Sequence, residues 1–181
     1  MQISIAVNKA CVSVSMKLTS QNKAIAKLAE IRNAFRAEIS HKYEHRAKSC
    51  LTCETPGACC LDAHFVNVRI SRLEAAAINN VLAELPTPVG NAVRKRIAES
   101  IDKYKLDEAI ETETATYACP LFERGTGCLV HETAKPLPCI AHACYDTQAD
   151  MPPDELLDGA EMSVHLLNTR TYGRFEWVVS I

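Results

Sequence analysis

Two cysteine-rich stretches carry the chemistry available to this chain. The first reads Cys50-Leu-Thr-Cys53-Glu-Thr-Pro-Gly-Ala-Cys59-Cys60, and the second holds Cys119-Pro120, Gly127-Cys128, Cys139 and Cys144. Eight of the nine cysteines fall in these stretches. Two thiolates separated by two residues can face one ion, because the short loop between them folds back on itself; such loops ligate tetrahedral zinc and iron–sulfur clusters. Pro56-Gly57 supplies a turn that brings Cys59 and Cys60 round. Adjacent residues tend to point apart, so Cys59 and Cys60 serve two different metals, or one is a ligand and the other redox-active. Free cysteine also packs like a small hydrophobe. That reading accounts for Cys11, alone in an apolar run, and accounts poorly for the two clusters.

The metal follows from the donor count. Eight thiolates make two closed tetrahedral zinc sites. Equally, four of them hold an iron–sulfur cluster and leave the others for a second site or a redox pair. Cys119-Pro120 echoes the Cys-Pro ending of bacterial ferredoxin motifs, which favours iron, but the Cys-x-x-Cys-x-x-Cys spacing of a ferredoxin is missing. Disulfide or metal-free thiol pairs are the remaining alternative. His64, His131 and His142 lie near candidate ligands and can replace one, although surface or supporting roles suit each better.

Composition limits the partners. The chain has 181 residues with 20 basic and 22 acidic side chains, a formal net charge of −2. That balance gives no case for nucleic acid, and aromatic residues at 6% do not furnish a base-stacking platform. No stretch approaches the ~20 apolar residues of a membrane span. The first residues lack a basic start, and Asn8-Lys9 breaks their apolar run, so they do not have the layout of a signal peptide. We expect a reducing cytoplasm, where clustered cysteines mean metal or redox chemistry rather than disulfides.

The elements that must position the thiols can be read from periodicity. Ile3, Ile5 and Val7, then Val12, Val14, Met16 and Leu18, alternate as in a hairpin, with a helical or unstructured start as the alternative. Ile25, Leu28, Ile31, Phe35 and Ile39 recur at helical spacing and predict a long amphipathic helix over 20–48. Its basic end (His41, Lys42, His45, Arg46, Lys48) suits the helix dipole and brings positive charge towards Cys50 and Cys53. A short strand is expected over 63–70. Ser71-Arg-Leu-Glu74 reads as a capping box opening a helix to residue 84, which Leu85-Pro86-Thr-Pro88 ends. A second helix is expected over 89–106, then an acidic, Thr-rich loop over 107–118. The second cysteine cluster reads as irregular. Asp154 caps a helix over 155–168, and 175–181 forms a terminal strand, a candidate partner for the N-terminal one.

The order of the cysteines resembles a known family. Cys-x-x-Cys followed by Cys-Cys, then Cys-Pro-Leu-Phe, Gly-x-Cys-x-Val and Pro-x-x-Cys, is similar to the YkgJ-type CxxCxxCC domain. That domain is described as zinc- or iron-chelating, and its members are often labelled iron–sulfur proteins without a settled reaction. Flagellin lysine-N-methylases carry a related pattern. The resemblance spans residues 50–144. It departs from the family in the longer gap from Cys53 to Cys59. His131, Lys135-Pro136 and Cys139-Ile140 also stand where typical members have Tyr, Arg-Pro and Cys-Arg.

The expected architecture is a compact, mostly helical α+β single domain with a few short strands and Cys-rich metal-binding loops. Residues 1–48 would form a strand or hairpin and a long helix, 49–150 the cysteine-cluster core, and 151–181 a helix and strand packed on it. The expected metal ligands are Cys50, Cys53, Cys59, Cys60, Cys119, Cys128, Cys139 and Cys144. The expected function is a metalloprotein with an iron–sulfur cluster or zinc, acting in redox or protein-modifying chemistry on a protein substrate. The alternative is a non-catalytic zinc module for a protein partner, or one for metal handling. No phosphate loop, His-Glu-x-x-His or nucleophile elbow is visible, and the acidic residues Asp102, Glu108, Glu111 and Glu113 read as a solvated face. Catalysis is therefore left open, as are the catalytic residues and the oligomeric state.

Overall fold

The computed structural model describes residues 18–49, 52, 54–55, 57–61, 68–106 and 117–173, together with the backbone of 177–180. The N-terminal hairpin expectation, Cys11, Cys50, Cys53 and His64 lie outside the described residues, as does the loop at 107–116. The protein is mostly helical with small antiparallel sheets, compatible with a compact α+β domain.

Helix α1 (Gln21–Lys42) is the spine. Its buried stripe is Ala24, Leu28, Arg32, Phe35 and Ile39, spaced by three and four residues. Ile25 and Ile31, expected in the core, are only partly buried, and Arg32 takes the central place instead. The stripe packs against α2 (Arg72–Glu84), the short α4 (Leu137–Ala141) and α5 (Asp154–Tyr172). Leu73, Ala77 and Ile78 from α2 join Leu137 and Ile140 from α4, and Val164 and Leu167 from α5, in one buried cluster. Helix α1 ends at Lys42, and its basic tail continues as a 3-10 turn, Glu44–Arg46. The Lys48 ammonium pairs with Asp146 at 2.6 Å and also feels Cys144; Cys50 and Cys53, towards which the basic end was expected to bring charge, lie outside the described residues.

The capping box at the start of α2 forms as the sequence implies. The Glu74 backbone N–H donates to Ser71 Oγ at 3.3 Å, and the Ser71 N–H returns to Glu74 Oε2 at 2.8 Å. A further cap comes from α5, where buried Asn168 accepts from the Leu73 N–H at 3.1 Å. Helix α3 (Thr87–Tyr104) starts two residues earlier than expected, because Pro88 fits the first turn, where no N–H is needed. Asp154 is the first residue of α5 rather than its cap; Pro153 precedes it in extended conformation with no side-chain cap.

Strand β1 (Arg69–Ser71) pairs antiparallel with β4 (Trp177–Ser180) and is the terminal strand's partner among the described residues; the N-terminal partner expected for it lies outside them. The second pair, β2 (Phe122–Glu123) and β3 (Gly127–Cys128), is a minimal hairpin inside the second cysteine stretch. That stretch is thus more regular than its Pro and Gly content indicates, with a hairpin and a helix each carrying a cysteine. Among the described residues no helix is long and apolar enough to cross a membrane.

Candidate metal centre

The two cysteine stretches meet through their backbones. The Cys119 N–H donates to the Cys60 carbonyl at 2.9 Å, and the Lys48 N–H donates to the Cys144 carbonyl at 2.9 Å. A β-bridge between Ala47 and Tyr145 extends the second contact. The chain entering the first stretch therefore lies beside the end of the second, and the end of the first lies beside the start of the second.

Each described thiol has an identifiable support. Cys59 and Cys60 sit on a 3-10 turn, Ala58–Cys60, opened by Gly57 at φ +82°. A side chain at Gly57 would overlap the Phe122 ring, so glycine is required there for both its backbone and its space. Cys119 is fixed by Arg96 on α3, whose Nε donates to the neighbouring Pro120 carbonyl at 3.0 Å. Cys128 ends the hairpin. Cys139 lies within α4, whose Leu137 and Ile140 are buried against the core. Between Cys128 and Cys139 the loop is held by α1: Arg32 donates to the Thr133 carbonyl, and Arg36, one turn on, donates to the His131 carbonyl. Arg36 also pairs with Glu132 at 3.3 Å.

The thiols form an electrostatic array. Cys60 feels Cys59, Cys119 and Cys128, while Cys139 feels Cys119, Cys128 and Cys59. Cys59 and Cys60 influence each other strongly across the turn. Their mutual interaction holds the Cys59 thiol down, to about 6, with His142 and Lys135 helping, and it pushes Cys60 up. Burial raises Cys119 to about 11 and Cys139 to about 12, with neighbouring thiols adding to both, and burial also raises Cys128. Opposing burial, the neighbouring backbone of Leu121 and Phe122 lowers Cys119, and that of Val130 lowers Cys128. Both effects favour the thiolate, the form that binds metal.

The donor chemistry fits zinc or an iron–sulfur cluster, since the set is soft sulfur. The closure is incomplete. Among the described residues no group of three or more His, Cys, Asp or Glu side chains could hold a metal ion. The structure brings Cys59, Cys60, Cys119, Cys128 and Cys139 into one electrostatic neighbourhood. Cys144 is exposed at the edge, beside Lys48. Of the three histidines, His142 is exposed near Cys59, and His131 faces Glu132 at 3.7 Å.

Sequence reasoning missed Arg32, Arg36 and Arg96, which hold the loops that carry the thiols. Charged residues at helical spacing read as a solvated face, and only the recurrence of Arg32 on the apolar stripe of α1 signals otherwise. The chain matches no protein-family model, no curated protein and no solved structure.

Proposed function

We propose that this chain is a cysteine-cluster metalloprotein that holds an iron–sulfur cluster or zinc. Its ligands come from Cys50, Cys53, Cys59, Cys60, Cys119, Cys128, Cys139 and Cys144. The observation that carries this reading is that the two cysteine stretches join through backbone hydrogen bonds, Cys119 to Cys60 and Lys48 to Cys144, with Cys59, Cys60, Cys119, Cys128 and Cys139 in one electrostatic neighbourhood. A chain of this size can bury roughly 70% of its unfolded surface without a covalent or metal staple. The convergence of thiols thus needs an explanation beyond stability. The order of the cysteines supports the same reading through its resemblance to the YkgJ-type domain.

Neighbouring, half-buried thiols repel one another once ionised, and a cation removes that penalty. Cys119, Cys128 and Cys139 would hold the metal from the second stretch. Cys59 and Cys60 would approach it from the first, and Cys50 and Cys53 would complete the donor set. When bound, an iron–sulfur cluster supplies one-electron transfer, and zinc supplies a closed structural clip. The protein works in a reducing cytoplasm on a protein substrate or partner. Cys53→Ser and Cys119→Ser, purified under anaerobic conditions, are each expected to lose at least about half of the bound metal. Wild-type metal content in both variants would refute ligation by these cysteines.

A further inference from the structure

A groove of about 440 Å³ runs between the C-terminal half of α3 and the loop carrying Cys60, Cys119 and β2. This size is typical of small-molecule sites. Its walls combine aromatic and apolar surface (Leu61, Tyr104, Pro120, Phe122) with three cations, Arg96, Lys103 and Arg124. Glu99, which pairs with Lys95 at 3.7 Å, and Glu123 also line it. The cations are partly organised in advance. Lys103 Nζ stands 4.7 Å from the centre of the Tyr104 ring, which is itself packed on Tyr117 at 5.4 Å between centroids. Arg96 is held by its Nε bond to Pro120, and its buried Nη2 has no hydrogen-bond partner among the described residues. A buried guanidinium donor left unpaired is costly and is relieved by an acceptor.

We propose that this groove binds an organic monoanion with an apolar or aromatic body, its acidic group among Arg96, Lys103 and Arg124. The cations draw one acidic group, and the two glutamates oppose a dianion. The bound molecule lies against Cys60 and Cys119, the two residues through which the cysteine stretches join. The inference does not depend on a metal and is tested on metal-free and metal-loaded protein alike.

The test uses 8-anilinonaphthalene-1-sulfonate, an aromatic monoanion, and its uncharged analogue N-phenyl-1-naphthylamine, both followed by fluorescence. The double variant Lys103→Gln/Arg124→Gln alters two exposed side chains and leaves the Arg96–Pro120 bond in place. The expected result is single-site binding of the anion that weakens with salt, roughly tenfold weaker binding in the double variant, and no change for the neutral probe. Arg96→Gln serves as the second variant, with its folding checked by circular dichroism. Equal binding of charged and neutral probes, an unchanged anion affinity in the double variant, or no binding at all would overturn the proposal.

Discussion

A methyl group added at Gly57 meets two obstacles at once: a left-handed φ of +82° and the ring of Phe122 lying over the Cα. Gly57→Ala is therefore expected to cost about 1–3 kcal/mol, from backbone strain plus overpacking. It should also move the Cys59–Cys60 turn away from the hairpin. Thermal unfolding checks the first effect and metal content the second; a variant equal to wild type in both would show that the turn does not depend on this contact. The thiols themselves make a pH prediction. Cys119 and Cys139 are raised from 9.0 to about 11 and about 12, and Cys128 is raised as well. A group whose folded pKa lies above its unfolded value stabilises the fold fully below the unfolded pKa and loses that contribution as pH rises. Metal-free protein should thus lose stability from about pH 9 towards pH 11–12. Metal-loaded protein should resist this loss, and loading near pH 7 should release on the order of two to four protons per ion. Uptake without proton release, measured in buffers of different ionisation enthalpy, would contradict thiol ligation. At this scale the cysteine positions were legible because spacing alone reports a shared ion. The mutual influence of Cys59 and Cys60 was not, since it depends on the 3-10 turn that Gly57 opens.

Among the elements, α1 does more than fill the core. Arg32 and Arg36, one turn apart, grip carbonyls of the loop joining Cys128 to Cys139. Arg32 is 5% exposed, and burial lowers its pKa while Glu74 nearby raises it. Arg32→Met keeps the apolar stem and deletes the donors, so it is expected to cost about 1.5–3 kcal/mol, the range for a hydrogen bond from a charged group. Denaturant unfolding measures the cost, and a change below about 0.5 kcal/mol, the size of an ordinary surface substitution, would mean that the clamp carries no load. The helices were legible because their apolar residues recur at three and four, and the Ser71–Glu74 box was legible because its chemistry is local. Helix α4 was not. It has five residues, holds Pro138 in its first turn, and is too short to show a period. The β1–β4 pairing was hidden for a different reason: alternation marks a strand and says nothing about which strand lies beside it.

Across the whole molecule, one buried cluster joins α1, α2, α4 and α5, and the thiol array lies where the loops off α1, α3 and α4 converge. A metal at that point would clip together segments far apart in sequence. Structural zinc in small domains supplies an apparent ~10–16 kcal/mol, against ~5–15 kcal/mol for the whole stability of a typical domain. The fold class could be read from the sequence because helical periodicity dominates it. The joining of the two cysteine stretches could not, because it rests on two backbone contacts, Cys119 to Cys60 and Lys48 to Cys144, that no local pattern encodes. The most direct test of the central claim is anaerobic purification followed by an absorption spectrum and elemental analysis on one sample. The account predicts bound metal at about one or more ions per chain: either a brown protein absorbing near ~400 nm with matching iron and sulfide, or a colourless protein holding zinc. Anaerobically purified protein that carries neither and takes up neither on reconstitution would contradict it.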